Sequence, residues 1–279
     1  MQVGGRDLIK IADALVRRRN YIAAINMMRL YERPLDTFRR YLTRAGEYPH
    51  TIRVQTPLSE VELRLYSHDD LLTVNEIFCR DDYYAEVSDK VIVDFGSNIG
   101  FSAAYFLTRT PWAYAYLFEP LPSNIARLHS NLQPFNGRYE LHEVAVTLSD
   151  GEVEFGWEPT GRYGGVNNNH LDNVITVPSV NSLTVLDGVL TKHGHIDVLK
   201  IDIEGLEATV VGNIPLEMAR KIRKLYVEGI FETNPLPQTH SLVHYGGIAQ
   251  FRLLDPSHVD NSGHIESVHA AAVTRLSTP

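Results

Sequence analysis

The sequence DFGSNIG at residues 94–100 constrains the fold of this chain more than any other segment. It follows the β-branched run KVIV, which is typical of a buried parallel strand, and it precedes the helical sequence FSAAYFLTR. Glycines such as Gly96 and Gly100 at this junction let the backbone approach a ligand, and the first turn of the helix offers unpaired amides. The segment therefore predicts a ligand site at the carboxyl end of a parallel strand.

Strands and helices are predicted to alternate from Val91 onwards. Strands are expected at KVIVDFG, AYAYLFEP, YELHEVAV, GEVEFGW, VITVPSV, IDVLKIDIEG, IRKLYVEGIF, FRLLD and ESVHAAAVTRL, and helices at FSAAYFLTR, PSNIARLHSNL, SLTVLDGVLTKHG and LEATVVGNIPLEMARK. We expect YELHEVAV and GEVEFGW to pair as a hairpin across the turn at residues 149–151, and Ser182 to cap the helix that it opens. Repeated βα units with an antiparallel end are typical of a doubly wound sheet.

The first 50 residues predict a helical extension, and residues 51–279 the main domain. Helical spacing begins at Leu8, Asn20 is the expected cap of a second helix, and Pro34 suits the first turn of a third. The strands TIRVQ and VELRLY should then form a hairpin, followed by a helix that Ser67 caps. Residues 1–44 carry ten Lys and Arg against four Asp and Glu. This basic segment could bind an anionic substrate, but we favour docking on its own domain or on a second subunit, and hence a homo-oligomer formed through these helices.

Overall composition excludes several classes of protein. The net charge of −8 disfavours nucleic-acid binding, which needs a basic surface. No apolar run is long enough to span a membrane and the N-terminus lacks the apolar stretch of a signal peptide, so a cytoplasmic protein is expected. The one cysteine, Cys79, has no partner for an internal disulfide and suits a reducing compartment.

An acidic residue follows the glycine turn at a spacing that indicates a nucleoside ligand. Glu119 comes nineteen residues after Gly100, at the end of the next predicted strand, where a carboxylate can accept both ribose hydroxyls. Asp94 can hold a charged amino group indirectly, and Asn98 offers polar contacts in the turn. A dinucleotide motif would need glycine where Asn98 stands and a small residue where Phe101 stands. The pattern favours a cationic cofactor without phosphates, S-adenosylmethionine.

Several segments together resemble the FkbM family of methyltransferases. They are VIVDFGSNIGFSAAYF, LFEPLPSNIARLHSNL, HEVAVTLSDGEVEF, VPSVNSLTVLD and IDVLKIDIEGLEATVV, in this order, after the lead-in DLLTVNEIFCRDDYY. The resemblance covers about residues 69–211, and its most specific piece is LKIDIEG at residues 199–205. It does not extend to the first 50 residues or to the tail beyond Phe231.

The resemblance implies a fold, a cofactor and a reaction. The fold is the Rossmann-like class I methyltransferase fold, an α/β architecture with a seven-stranded, mostly parallel sheet. The donor is S-adenosylmethionine, and the acceptor is a small molecule that offers a hydroxyl group, on a sugar or on a glycosylated or polyketide-type natural product. Carried over by position, the cofactor residues are Asp94, Gly96, Ser97, Asn98, Gly100, Glu119, Ala145 and Asp202. The family more often has alanine at the position of Ser97, and Ala145 should lie near the adenine.

Three carboxylates mark the predicted site of methyl transfer. Asp202 and Glu204 end one strand and Glu228 ends the next, so all three should meet at the carboxyl edge of the sheet. They could remove the proton of the acceptor hydroxyl, or hold a divalent cation that acidifies it, and of these we favour the metal-free route. Alternatively, Asp202 and Glu204 cap the following helix and bind loop amides.

Histidines supply further candidates for the base. His170 lies in the polar loop GRYGGVNNNH, and His240 and His244 lie in a stretch that could cover the pocket. Trp157 and Tyr163 could line the acceptor pocket or simply pack. Two other functions stay open: a NAD-dependent sugar oxidoreductase on a similar fold, and a scaffold that binds S-adenosylmethionine without catalysis.

Overall fold

The strands of the protein come from a computed structural model, which describes residues 2–3, 6–7, 18–80, 82–158, 164–166, 168, 171 and 173–255. In chain order they are β1 (Gln2–Val3), β2 (Arg6–Asp7), β3 (His50–Gln55), β4 (Glu60–Leu65), β5 (Val91–Phe95), β6 (Tyr114–Phe118), β7 (Tyr139–His142), β8 (Ala145–Thr147), β9 (Gly151–Trp157), β10 (Gly164–Val166), β11 (Asn173–Asn181), β12 (Ile196–Ile201), β13 (Ile222–Glu228), β14 (His240–Tyr245) and β15 (Ile248–Leu253).

Seven of these strands form the main sheet, in the order β14-β15-β13-β12-β5-β6-β7. Neighbouring strands from β7 to β13 run parallel, while β15 runs antiparallel to β13 and β14 antiparallel to β15. The order reverses at β5, because the chain moves outward to β6 and β7 and then returns to β12 on the other side. This is the predicted Rossmann-like α/β architecture of class I methyltransferases, with its seven-stranded, mostly parallel sheet.

Helices cover both faces of the main sheet. They are α1 (Arg18–Leu30), α2 (Pro34–Thr43), α3 (His68–Val74), α4 (Phe101–Leu107), α5 (Pro122–Leu132), α6 (Ser182–His193), α7 (Glu207–Asn213) and α8 (Leu216–Ala219). Both faces of β5 are buried because alternate side chains enter different cores: Ile92 packs with the helices α4 and α5, while Val93 and Phe95 pack with α6 and α7. The β-branched run KVIV thus belongs to a central strand, as its sequence predicts.

The N-terminal helix α1 packs into the same core as α4. Its buried residues Ala23 and Met27, and Tyr31 directly after it, share a cluster with the apolar side chains of the sheet face. Asn26 donates a hydrogen bond from Nδ2 to the carbonyl oxygen of Cys79 at 2.8 Å. The predicted helix that starts at Leu8 lies outside the described residues. Before it, β1 and β2 form a short antiparallel pair.

The segment between α2 and β5 follows its predicted pattern. Pro34 opens α2, and β3 and β4 pair as an antiparallel hairpin. Ser67 caps α3 in a capping box, since its hydroxyl accepts from the Asp70 amide while the Asp70 carboxylate accepts from the Ser67 amide. One turn of π-helix, Asn75–Cys79, continues α3 towards the centre of the molecule.

The predicted hairpin between YELHEVAV and GEVEFGW is wrong. The chain does turn at residues 149–151, but β7 stays in the main sheet and β8 leaves it. A second, four-stranded sheet has the order β10-β9-β11-β8, so β11 lies between the two expected partners. It pairs parallel with β8 and antiparallel with β9, where Ile175 lies opposite Phe155. The long strand β11 offers β9 seven paired positions, more than the three residues of β8 could offer.

Two helices begin earlier than predicted, the first by three residues and the second by one. Helix α1 starts at Arg18 rather than after Asn20. Asn181, not Ser182, caps α6, because the Asn181 side chain accepts from the Leu183 amide at 2.8 Å. Ser182 is fully buried within the first turn.

The described part of the tail closes the sheet. FRLLD belongs to β15 as predicted, whereas the strand β14 was not foreseen. The second predicted run, ESVHAAAVTRL, lies outside the described residues. Among the described residues, no helix combines the length and apolar character needed to cross a bilayer.

Candidate functional site

A cleft opens where the strands β5, β6, β12 and β13 end at their carboxyl edge. Its walls contain most of the predicted site residues: Gly96, Ser97, Asn98, Glu119, Ala145, Asp202, Glu204 and Glu228. Asp94 and Gly100 are buried directly beneath it. The parallel strands therefore bring together groups that are more than a hundred residues apart in the chain, as expected for a ligand site of an open α/β sheet.

The glycine turn after β5 has a backbone that only glycine fits at its first position. Gly96 has a φ of +81°, and a Cβ atom there would lie 1.7 Å from the carbonyl oxygen of Asp202. The turn continues through Asn98 and Gly100, which also have positive φ values of 48° and 89°. Because Gly96 packs directly against the backbone of Asp202, the ends of β5 and β12 are in close contact at the floor of the cleft.

Ser97 fastens this turn to the neighbouring strand. Its hydroxyl donates to the carbonyl oxygen of Asp94 at 2.9 Å and accepts from the amide of Phe118 at 3.1 Å. The amides of Gly96 and Ser97 both donate to the carbonyl oxygen of Phe118. The Ser97 side chain therefore stabilises the turn itself, although the residue also lines the cleft.

Glu119 faces the turn from the end of β6. Its side chain is buried, and its carboxylate accepts from the amides of Asn98 at 2.9 Å and Leu121 at 3.0 Å and from Nδ2 of Asn124 at 3.3 Å. Burial raises the pKa of Glu119 to about 7, although these hydrogen bonds oppose the rise. Glu119 is thus a carboxyl group beside the turn that is surrounded by hydrogen-bond donors, and its charge changes near neutral pH.

A buried lysine connects the turn to the end of β12. Nζ of Lys200 lies 3.1 Å from Oδ1 of Asp94 and 3.2 Å from Oδ2 of Asp202, and it donates to the carbonyl oxygen of Gly96 at 2.9 Å. Asp94 also accepts from the hydroxyl of Ser102 at 2.6 Å. Burial by itself lowers the pKa of Lys200, but the charges of Asp202 and Asp94 outweigh this and raise it well above its usual value. Lys200 is therefore a permanent cation held between two carboxylates.

Sequence reasoning missed Lys200, even though LKIDIEG was singled out. The available signal was a lysine inside the otherwise apolar strand VLKI, since a fully buried lysine needs acidic partners. One partner, Asp202, lies two residues later in the same segment, but the other, Asp94, lies in β5, so the pairing with Asp94 is visible only in three dimensions.

The three predicted carboxylates, Asp202, Glu204 and Glu228, all line the cleft. Glu228 shares a hydrogen bond with Asp202, and this bond, the charge of Asp202 and burial together raise the pKa of Glu228 far above its usual value. Glu228 thus holds a proton, while Asp202 bears its charge next to Lys200. Glu204 lies on the rim with a φ of 53° and also faces the cleft. Among the described residues, no group of three or more His, Cys, Asp or Glu side chains is arranged to hold a metal ion.

Another residue, Glu207, binds the loop amides after β12. Its carboxylate accepts from the amides of Ile203 at 3.0 Å and Gly205 at 2.8 Å. This is the structural role that the sequence left open for Asp202 and Glu204. Because Glu207 begins α7, it also places negative charge at the positive end of that helix.

The two described histidine candidates, His240 and His244, are not among the residues that line the cleft. Among the candidates, His170 and Tyr163 fall outside the described residues. His240 is buried on β14, where Nε2 lies 2.9 Å from the carbonyl oxygen of Ile222 and burial lowers its pKa. His244 accepts from the amide of Phe231 at 3.0 Å. The strand that carries both histidines completes the sheet edge, and neither is among the cleft residues, so the predicted cover is wrong.

One wall of the cleft was not predicted at all. It consists of residues from α3 and the segment that leads into β5, namely Asp70, Thr73, Glu76, Ile77, Asp82 and Tyr83. Phe155 of β9 also lines the cleft, whereas Trp157, the candidate for the acceptor pocket, is not among the lining residues. The residues of this wall precede the βα units that carry the cofactor motif. No local sequence pattern predicts that they lie next to that motif.

Comparison with known proteins agrees with this geometry. The model of the FkbM methyltransferase domain matches residues 94–243, which begin at the glycine turn and end in β14. The 2-O-methyltransferase NoeI of Sinorhizobium fredii is 31% identical over 159 residues, which are 51% of this chain and 64% of that protein. The AMB antimetabolite synthetase AmbE of Pseudomonas aeruginosa is 26% identical over 192 residues, 56% of this chain and 9% of that protein. The chain thus spans less than two thirds of the length of either relative.

A solved structure of low similarity also matches. A methyltransferase from Geobacter sulfurreducens has 15% sequence identity and a TM-score of 0.34, with 60% of this chain and 72% of that chain covered.

Proposed function

The chain belongs to the FkbM methyltransferase family, and from that premise we propose that it transfers the methyl group of S-adenosylmethionine to a hydroxyl oxygen of a small molecule. The relative NoeI, a 2-O-methyltransferase, supports oxygen as the acceptor atom. A sugar, or a glycosylated or polyketide-type natural product, is the proposed acceptor class. Family membership favours methyl transfer over the hydride transfer of a NAD-dependent oxidoreductase.

One observation carries the donor site: the buried carboxylate of Glu119 is hydrogen-bonded to the glycine turn and lines the same cleft. In the proposed complex Glu119 accepts the ribose hydroxyls, and the adenine lies beside Ala145 and Phe155. The positively charged sulfonium is favoured near the carboxylates of this cleft. In that arrangement Asp202 and Glu228, which line the same cleft, would be the residues nearest the reacting groups.

The acceptor chemistry is assigned to Asp202 and its neighbours. The hydroxyl oxygen attacks the methyl carbon in line with sulfur, the carbon–sulfur bond breaks, and its electron pair stays on sulfur. The proton of the hydroxyl passes to the carboxylate of Asp202, which Lys200 keeps ionised and Glu228 orients through their shared hydrogen bond. A divalent cation bound by the same carboxylates is the alternative, and it would acidify the hydroxyl instead.

Two measurements test this function. In calorimetry S-adenosylhomocysteine should bind to the full chain and NAD should not, and the reverse would favour the oxidoreductase. Methyl-labelled S-adenosylmethionine should then label members of a panel of sugars and glycosylated hydroxyl compounds. Binding of the donor without label transfer to any panel member would favour the catalytically inactive scaffold.

We expect binding of S-adenosylhomocysteine to depend on pH through Glu119. Its carboxyl has a pKa of about 7 in the free protein, and the ribose hydroxyls bind the ionised form. Below this pKa the ligand must displace a proton, so the affinity should fall about tenfold for each pH unit, and above it the affinity should level off. Calorimetry in buffers of different ionisation enthalpy should detect about one proton released per ligand near pH 6.

The variant Glu119→Gln is the control for this effect. Glutamine keeps the shape of the side chain but carries no proton to release, so the pH dependence should disappear. Its affinity should be lower by roughly 10- to 100-fold, because the ribose loses hydrogen bonds to a charged group. Alanine is less suitable, since it would leave the amides of Asn98 and Leu121 without acceptors. If the affinity of Glu119→Gln kept the pH profile of the wild type, the assignment of Glu119 to the ribose hydroxyls would be contradicted.

A further inference from the structure

Tyr83 presents a hydroxyl group to the cleft without any protein partner among the described residues. The side chain is 6% exposed and lines the cleft, yet its hydroxyl takes part in no hydrogen bond with the described part of the chain. The ring is buried while the hydroxyl opens onto the cleft, where a bound ligand can accept a hydrogen bond from it. Its environment therefore suggests a ligand as the missing partner.

The backbone around Tyr83 is held in place by side chains of the core. The hydroxyl of Tyr105 donates to the carbonyl oxygen of Tyr83 at 3.0 Å, and Nε2 of Gln250 donates to that of Asp82 at 3.0 Å. The hydroxyl of Tyr226 accepts from the amide of Tyr84 at 3.1 Å and donates to the carbonyl oxygen of the same residue. The rings of Tyr83 and Tyr226 meet edge to face at 5.4 Å. The unpaired hydroxyl is thus preorganised, as binding groups are.

The charges around the cleft indicate which ligand group needs this donor. Seven of the lining residues are acidic and one is basic: Asp70, Glu76, Asp82, Glu119, Asp202, Glu204 and Glu228 against Lys200. The Lys200 ammonium is already engaged by the protein, since it forms ion pairs with Asp94 and Asp202 and donates to the carbonyl oxygen of Gly96. An anionic group of a ligand in this cleft therefore needs a hydrogen-bond donor that the acidic side chains do not already occupy. Burial raises the pKa of Tyr83 well above its usual value, so its hydroxyl stays a donor at neutral pH.

We propose that the hydroxyl of Tyr83 donates a hydrogen bond to the carboxylate of the methionine part of S-adenosylmethionine. The inference rests on the proposed function, since it assigns one end of the proposed donor. A carboxylate bound by Tyr83 would lie near Lys200, which acts electrostatically on the Tyr83 hydroxyl and whose positive charge would also attract a carboxylate. Tyr83 is therefore a cofactor-binding residue that lies outside the βα units of the cofactor motif.

Calorimetry with two donors tests this assignment. S-adenosylmethionine carries the carboxylate, whereas decarboxylated S-adenosylmethionine keeps the sulfonium and the ammonium but lacks it. Tyr83→Phe should weaken binding of S-adenosylmethionine by roughly 10- to 100-fold, as expected for a lost hydrogen bond to a charged group. The same variant should bind the decarboxylated donor within about twofold of the wild type, because the deleted hydroxyl has no carboxylate to contact. Its melting temperature should not fall, since the hydroxyl has no partner in the free protein.

Tyr116→Phe is the matched control. It also removes a hydroxyl from a buried tyrosine, but that hydroxyl lies 2.8 Å from Nε2 of His193, away from the cleft, so the affinities for both donors should stay unchanged. Equal weakening of both donors by Tyr83→Phe, or no weakening of either, would overturn the assignment. Wild-type protein that binds neither donor would instead overturn the proposed function, and the two failures are thereby distinguished.

Discussion

Replacing Gly96 with alanine is expected to lower the free energy of unfolding by roughly 3 kcal/mol or more and to abolish measurable binding of S-adenosylhomocysteine. The added Cβ atom would lie 1.7 Å from the carbonyl oxygen of Asp202, a backbone atom that cannot rotate away. The positive φ of 81° adds the strain of a left-handed conformation. Relief requires the ends of β5 and β12 to separate, and this would displace Asp202 and open the floor of the cleft.

Chemical denaturation measures this effect, and Gly188→Ala is the matched control. Gly188 lies within α6 and a Cβ atom there would meet nothing within 4 Å, so alanine should be neutral or should stabilise the helix by about 0.5–1 kcal/mol. Equal stability of Gly96→Ala and Gly188→Ala, with ligand affinity retained in both, would show that the turn tolerates a side chain.

The glycine turn and Glu119 could be predicted because their signals are local. The β-branched strand, the positive-φ glycines and the helix that follows occupy one short stretch of sequence, and Glu119 lies a single βα unit later. Such patterns depend on backbone conformation and strand burial, and both are encoded within a few residues. The doubly wound α/β class followed from the repetition of these units, whereas the seven-stranded sheet was implied by the resemblance to the family.

The interactions that escaped prediction all join distant segments. Lys200 pairs with Asp94 across neighbouring strands. The backbone at Tyr83 is held beside the cleft by the hydroxyl of Tyr105, which donates to the carbonyl oxygen of Tyr83, and by the hydroxyl of Tyr226, which donates to that of Tyr84. The hairpin error has the same origin: a short local turn suggested that β8 and β9 pair, but the long strand β11 competes for both. Which strands pair depends on all the contacts that each pairing makes, and a local sequence pattern does not specify these contacts.

Asp202→Asn is expected to lower turnover by roughly 100- to 10,000-fold, as removal of a general base does, and to weaken binding of S-adenosylhomocysteine by at most about tenfold. The amide cannot take the proton of the acceptor hydroxyl, and that loss appears in the transition state rather than in ground-state binding. The fold should persist, because Lys200 keeps Asp94 as its ionic partner and asparagine has the shape of aspartate. Single-turnover kinetics with an acceptor from the labelling panel measure the rate, and calorimetry measures the affinity.

The charge control for Asp202→Asn is Glu217→Gln, an exposed position on α8 outside the cleft, and its turnover should equal that of the wild type. Chelation and add-back of magnesium or calcium then separate the two acceptor mechanisms. If Asp202 removes the proton directly, chelation should leave the rate unchanged, and we expect this outcome because Lys200 already supplies the positive charge beside Asp202. Activity that disappears on chelation and returns with the cation would assign Asp202 to a metal. Wild-type turnover in Asp202→Asn would contradict both mechanisms and would move the search for the base to Glu204 and His170.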